Sequence, residues 1–329
     1  MRVTALVTCA GSMPAIAIIN ALKRQDEIPV RVVAVDMNPL SAGFHLSDAS
    51  SVVPATSDDE YLPTVLEVCR REGVDIVFPV IDEEQLGFAE QRPTFGEHGI
   101  RVIVNDPAAI RIARDKYITH QWCRKNDVLA PAAFLPGEVP ESWLGHFPLI
   151  VKPRSGQATR GVFRVGNRRE LEFFVDYVPN AMVQEFIDGQ EYTLDVLTNL
   201  RGEVISVVPK ARIETKAGMQ VKGRTVRDPR LMDYGKVLSE TLGLAPRCNI
   251  QCIVANQHTY LIEINPKFPA SLPFTVAAGV NSPLLLVKMH LGDEVPPMIG
   301  RFRDGLMMLR YWQEIFVEPQ AANGRAHTR

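Results

Sequence analysis

Two neighbouring runs decide how this chain is read: Asn249-Ile-Gln-Cys-Ile-Val254 and Tyr260-Leu-Ile-Glu-Ile-Asn-Pro266. Each is apolar and β-branched, and a short polar stretch separates them, which predicts a β-hairpin. A turn centred on Gln257 sets Gln251 opposite Glu263 and Asn249 opposite Asn265. Period-two alternation then puts these four on one face and Ile250, Cys252, Ile262 and Ile264 on the other, apolar face. Oxygen-bearing side chains on an apolar hairpin are costly to bury unless something binds them. Mg²⁺ suits them, because it takes oxygen ligands and bridges to phosphate oxygens. A solvated outer face is the plain alternative, and a turn shifted by one residue would misalign Gln251 and Glu263.

Upstream, Lys152 follows Leu149-Ile-Val151 and precedes Pro153, so an apolar strand carries its charge to a defined point. A snorkelling surface lysine has the same local pattern. The next residues, RSGQATRG at 154–161, tip the balance. Ser155, Gly156, Thr159 and Gly161 leave backbone N–H groups uncovered, while Arg154 and Arg160 add charge, which makes an anion-binding concavity. In QEFIDGQEY, residues 184–192, Glu185 and Glu191 flank a turn at Asp188-Gly189 and offer acceptors for an adenine amino group or a ribose hydroxyl. A solvated hairpin turn is the alternative there. Residues 209–230 carry seven basic residues, among them Lys210 and Arg212, and two acidic ones. Such a run is a solvated loop unless it holds triphosphate or an anionic substrate.

The first third alternates short apolar strands (Val3–Thr8, Arg31–Asp36, Asp75–Val80, Arg101–Asn105) with helical stretches (Ala15–Arg24, Glu60–Glu72, Glu83–Glu90). The strands are apolar on both faces, as in a doubly wound parallel sheet. Its first turn has only Gly11 of the three glycines a dinucleotide site needs. Gly11 therefore reads as a turn residue and Asp36 as a strand-end acceptor, and a dehydrogenase is a minor alternative. Further on, helices are expected over Ala113–Asn126 and Phe274–Leu291, and a strand over Leu306–Phe316.

Composition narrows the classes. The 329 residues are 46% hydrophobic, with 36 basic against 38 acidic residues and a net charge of -2. That suits a globular protein and argues against disorder or a nucleic-acid binder held by bulk charge. No apolar run approaches the roughly 20 residues that span a bilayer. Five scattered cysteines fit reduced thiols in a cytoplasmic protein. Cys248 and Cys252 lack the second pair or histidines of a zinc site.

Seven segments, in order, resemble the ATP-grasp superfamily, in the branch similar to the large subunit of carbamoyl-phosphate synthase and its stand-alone relatives. They are VTCAGSMPAIAIINAL (7–22), AVDMNPLSAGFHLSD (34–48), FPVIDEE (78–84), ARDKY (113–117), LIVKP (149–153), QEFIDGQEYTLDV (184–196), and NIQCIV (249–254) with LIEINPKF (261–268). The resemblance implies a mixed α/β and α+β protein. Its parts are a Rossmann-like pre-ATP-grasp domain over 1–112, a small lid subdomain over 113–187, a large subdomain with the metal site over 188–318, and a disordered tail from 319. It implies that Lys116 and Lys152 contact nucleotide phosphates and that residues 155–161, including Ser155, Gly156, Arg160 and Gly161, cover the triphosphate; Lys210, from the basic stretch, is a further candidate for nucleotide binding. Glu185, Phe186 and Ile187 take the adenine hinge, Glu191 the ribose, and Gln251, Glu263 and Asn265 the Mg²⁺ (or Mn²⁺). Lys267 stands where the family usually has arginine; it or Arg212 would neutralise the transferring group. The implied function is an ATP- and Mg²⁺-dependent ligase that activates a carboxylate as an acyl phosphate for attack by an amine or similar nucleophile. Homodimerisation is a family expectation; nucleic-acid and membrane partners are not expected. The alternative is an ATP-binding regulatory or scaffold protein with weak or lost turnover.

Overall fold

The computed structural model describes residues 3–156 and 159–318. Apolar runs near the N-terminus build a parallel five-stranded sheet from β1 (Val3–Val7), β2 (Val30–Asp36), β3 (Ala49–Val52), β4 (Ile76–Phe78) and β5 (Arg101–Val102), in the order β3-β2-β1-β4-β5. Helices α1 (Met13–Lys23), α2 (Tyr61–Glu72) and α3 (Asp82–Glu97) connect these strands. Ser12 caps α1 by accepting from Ala15 N, and Pro14 follows in its first turn. Beneath the carboxyl ends of β1 and β4 sits Glu84, fully buried. Its carboxylate accepts from Thr8 Oγ1 (2.7 Å), Tyr61 Oη (2.5 Å), Val80 N (2.6 Å) and Ile81 N (2.9 Å), and burial pushes it upward in pKa.

The predicted helix over 113–126 is two: α4 (Pro107–Arg114) and α5 (Lys116–Lys125). Asp115 breaks it, with φ -111° and ψ 111°, and caps α5 by accepting from Tyr117 N and Ile118 N. A four-stranded antiparallel sheet follows, made of β6 (Ala133–Phe134), β7 (Leu149–Pro153), β8 (Phe163–Val165) and β9 (Ala181–Glu185), with α6 (Arg168–Tyr177) against it; the order is β6-β9-β7-β8. Residues 186–189 then cross to a second antiparallel sheet, so this segment is a link between sheets and not a hairpin turn. Gly189 is needed there: a Cβ would lie 2.5 Å from Val254 O.

That second sheet has six strands: β10 (Gln190–Thr198), β11 (Val204–Lys216), β12 (Met219–Thr225), β13 (Arg247–Ala255), β14 (His258–Asn265) and β15 (Met307–Leu309). Their order is β14-β13-β10-β11-β12-β15, with α7 (Pro229–Leu242) packed on β10 and β11. The basic stretch read as a loop is thus largely a hairpin, β11 and β12 joined through Ala217 (φ 46°) and Gly218 (φ 74°). Its charges do not share one face: Lys210 is buried while Lys216, Lys222 and Arg224 are exposed. The predicted helix over 274–291 is split into α8 (Leu272–Ala277) and α9 (Ser282–His290), because Gly279 adopts φ +106° and Asn281 starts a new helix by accepting from Leu284 N. The expected strand 306–316 shrinks to β15. The expected disordered tail lies outside the described residues.

In the hairpin β13–β14, Gln251 faces Glu263 and Asn249 faces Asn265. The route differs from the expected one. Asn256 (φ 50°) and Gln257 (φ 66°) form a tight two-residue turn between Ala255 and His258, and a bulge after Gln251 restores the offset. The bulge also turns Leu261 into the core, 2% exposed, and leaves Ile262 on the polar face, contrary to the strict alternation expected. Because Gln257 holds a left-handed φ at steric cost, Gln257→Gly should stabilise the chain by about 0.5–1 kcal/mol. Thermal unfolding would show a midpoint rise of a few degrees; a lower midpoint would mean the turn is not in this conformation.

Core packing does not stop at the edge of the parallel sheet. Val3, Ile18 and Phe78 share one buried cluster with Leu197, Ile205, Phe268 and Leu286. Each such aliphatic side chain contributes roughly 1.5–3 kcal/mol on burial, so the first sheet and the last helices stabilise one another.

Candidate active site

Between the two antiparallel sheets lies a cleft of about 300 Å³. One wall is apolar, built from Ile150, Val162, Phe186, Ile187, Ile253 and Ile262; the other is charged, with Lys116, Lys152, Arg160, Glu191, Gln251 and Glu263. The bulge explains why both Ile262 and Glu263 reach the cleft from consecutive positions. A flat apolar slot that ends in cations and carboxylates suits a molecule with an aromatic base at one end and phosphates at the other.

Lys152 comes from the end of β7, where its stem packs in the core and leaves it 5% exposed. Its Nζ donates to Gln184 Oε1 (2.7 Å). Burial, aided by the charge of Lys116 and opposed by Glu263, lowers the Lys152 ammonium to about 8. Lys116 opens α5; its backbone N–H donates to Arg154 O (2.8 Å), its Nζ donates to Gly156 O (3.0 Å), and the same Nζ is 3.7 Å from Glu263 Oε1. Arg154 in turn grips Asp115 (2.6 Å). Burial works against the Asp115 carboxylate, but Arg154 and the two capped amides hold it below its usual range. The loop after β7 is thereby tied to α5, with Gly156, Thr159 and Arg160 in the cleft lining. Ser155 and Gly161 belong to the loop without lining the cleft, and 157–158 lie outside the described residues.

Glu185 turns partly away from the cleft: its carboxylate accepts from Ala132 N (3.0 Å), although Glu185, Phe186 and Ile187 all line the cavity. Phe186 is covered by Arg164, 4.3 Å from the ring centre. Glu191 is pushed upward by burial and by Glu263, against the pull of Arg212. Arg212 sits 3.3 Å from Glu191 Oε1 and donates to Gly218 O (2.8 Å), so it orients Glu191 from behind.

Besides Ser155, Gly161 and Arg212, three expected site residues are not brought to the cleft lining. Lys210 is 0% exposed; it is 2.6 Å from Asp195 Oδ2 and donates to Ser271 Oγ and Thr275 Oγ1 (3.0 Å each). It points into the core because alternation along β11 puts it opposite Thr193 and Thr225, inside the sheet. Lys267 pairs with Asp82 at the start of α3. Asn265 takes its register place beside Asn249 but does not line the cavity. Sequence reasoning missed the roles of Gln184, Asp195 and Asp82, all partners of the lysines or of Asn249. Their contacts join elements far apart in the chain, and no local pattern marks them.

An oxygen-only donor set remains: the Glu263 carboxylate and the Gln251 amide in register, with Glu263 close enough to Glu191 to push the Glu191 carboxyl upward. Among the described residues no group of three or more His, Cys, Asp or Glu side chains forms a metal cage. The carboxylate and amide oxygens are of the kind that could hold Mg²⁺, which takes one or two carboxylates plus phosphate oxygens.

Known proteins are similar to this chain in sequence and fold. Residues 177–309 match a family model described as ATP-grasp in the biosynthetic pathway with Ter operon, and residues 5–103 match the PylC-like N-terminal domain. The carbamoyl phosphate synthase large chain of Thermus thermophilus is 24% identical over 294 residues, covering 82% of this chain and 27% of the relative. This chain thus spans about a quarter of that relative's length. Among solved structures, the biotin carboxylase domain of Hydrogenobacter thermophilus 2-oxoglutarate carboxylase superposes with a TM-score of 0.73 at 16% identity, over 92% of this chain and 73% of that one. The L-amino acid ligase of Bacillus licheniformis gives 0.69 at 18% identity, over 92% and 77%. The matched models thus place an ATP-grasp region over residues 177–309 and a PylC-like N-terminal region before it, and the chain is similar to the carbamoyl phosphate synthase large chain.

Proposed function

We propose that the protein is an ATP-dependent ligase that activates a carboxylate as an acyl phosphate, which an amine or similar nucleophile then captures. The observation that carries this reading is the meeting, in one cleft, of the buried Lys152, Lys116 and the paired Gln251 and Glu263. Phosphoryl transfer needs positioning and charge neutralisation more than a reactive side chain. In this reading Phe186, Ile187, Ile253 and Ile262 hold adenine, Glu191 takes a ribose hydroxyl with Arg212 fixing its direction, and Lys116 and Lys152 hold phosphates. Arg160 and Gly156 cover the phosphates from the loop. Glu263 and Gln251, with Asn265 at the edge, hold Mg²⁺. When bound, the ion lowers the negative charge on the transferring phosphoryl group. Domain boundaries near 112 and 187 follow from the same reading, with 113–187 as the lid.

The Lys267–Asp82 pair favours a second reading, an ATP-binding regulator with weak turnover, since that lysine is held by another element rather than presented to the cleft. ADP release measured over a panel of amino acids, small carboxylates and amines separates the two. At least one acid–amine pair should raise ADP release about tenfold or more over the basal rate, one tenfold step being about 1.4 kcal/mol of barrier. Tight ADP binding without stimulation by any pair would support the regulator instead.

A further inference from the structure

At the inner end of β13, Arg247 is 4% exposed, and neither Nη1 nor Nη2 has a hydrogen-bond partner among the described residues. Its guanidinium lies over the Phe268 ring, 4.1 Å from the centroid. Stacking occupies the face of the group but satisfies none of its N–H donors. Ser206, 1% exposed, likewise has a partnerless Oγ. Both residues line one cavity of about 10 Å³, together with Asp195, Thr275 and Ser282. That is room for a single particle the size of a water molecule.

Charge decides what the particle is. The oxygens of Asp195 are already engaged: Oδ1 accepts from Asn249 Nδ2 (2.6 Å), and Oδ2 from Lys210 Nζ (2.6 Å) and Thr275 Oγ1. The other nearby carboxylate, Asp82, is paired with Lys267. One free carboxylate charge thus faces two buried cations, Lys210 and Arg247, and one positive charge stays uncompensated. Burial lowers the Arg247 guanidinium only to about 9, so it is charged at neutral pH. Water would occupy the donors and leave the charge unopposed, which a dry interior penalises strongly. Ser282 also begins the nine-residue α9 at this cavity, and a helix N-terminus favours an anion.

We infer that Arg247 and Ser206 bind one monatomic anion, of which chloride is the test case. The site is separate from the nucleotide cleft. Arg247, Asn249 and Gln251 alternate along one face of β13, so the ion lies roughly 13 Å inward of Gln251. There it braces the Asp195–Lys210–Asn249 network that underlies the cleft.

The test uses the full chain in gluconate, an anion too large for the cavity, titrated with chloride or bromide. The thermal midpoint should rise by several degrees and saturate; at chloride 100 times its dissociation constant the folding constant gains about 100-fold. Sulfate should not substitute. Arg247→Met should abolish the saturable rise while melting normally in gluconate. A rise that persists in Arg247→Met would place the ion elsewhere and overturn the assignment. Should that variant not fold, bromide-soaked crystals of the unaltered protein decide: an anomalous peak between Arg247 and Ser206 supports the site. Equal midpoints in gluconate and chloride, or no such peak, refute it.

Discussion

Glu263→Gln is expected to lower ATP turnover by on the order of 10³-fold while leaving the fold intact. The change keeps the shape of the side chain and removes its charge. That charge is the carboxylate in register with Gln251, and it lies 3.7 Å from Lys116 Nζ. A metal-linked carboxylate at a transferring phosphoryl group is worth several kcal/mol of barrier, and 1.36 kcal/mol is tenfold in rate. The side chain is partly exposed, and the amide keeps its shape, so the melting temperature should move by no more than about 2 °C. A second readout does not depend on turnover. Calorimetric titration of ADP with and without Mg²⁺ should show a metal-dependent gain in affinity for the unaltered chain and almost none for the variant. An unchanged ADP-release rate, or an unchanged Mg²⁺ effect, would remove Glu263 from the proposed role.

Lys152→Met should weaken ADP affinity by roughly 10- to 100-fold at neutral pH, the worth of one charge-assisted hydrogen bond in a buried setting. The pH profile distinguishes this from a packing defect. The folded ammonium titrates near 8, below its ordinary 10.5. Nucleotide binding needs the proton, so ADP affinity should fall as pH rises through about 8. Stability of the ligand-free chain should move oppositely. Between about 8 and 10.5 the unfolded chain holds a proton that the folded one has lost, so unfolding takes up a proton and stability rises with pH. Below 8 both states are protonated and this dependence vanishes. Lys152→Met should erase the ADP slope and flatten the stability slope between about 8 and 9, leaving the part above about 9 that Arg247 contributes, since Met keeps the apolar stem and drops the titrating group. ADP affinity that is flat in pH for the unaltered protein would contradict the placement of Lys152 against phosphate.

Much of this was legible in the chain. The alternating strands and helices of the first third needed only period and apolarity. The Gln251–Glu263 facing could be read because hairpin partners are close in sequence, and local geometry limits how they pair. Even so, the expected route was off by one residue at the turn, and the pairing survived because a bulge compensated. The β11–β12 hairpin is hard to see in the sequence because irregular pairing at Arg212–Thr215 breaks any clean alternation, leaving the Ala217-Gly218 turn as its main local mark. The helix breaks at Asp115 and Gly279 were similarly visible as cap and αL residues, but apolar periodicity ran across them.

What the residue order alone established was the family, the hairpin and the two lysines of the cleft, because strand period, turn chemistry and motif order are local properties. Which charges are spent on the core was settled only by packing. Lys210 is consumed by Asp195, Lys267 by Asp82, and Arg247 is buried over Phe268 with Nη1 and Nη2 unpartnered among the described residues. A charge changes meaning with its depth and its partner, and those partners lie 15, 185 and 21 positions away.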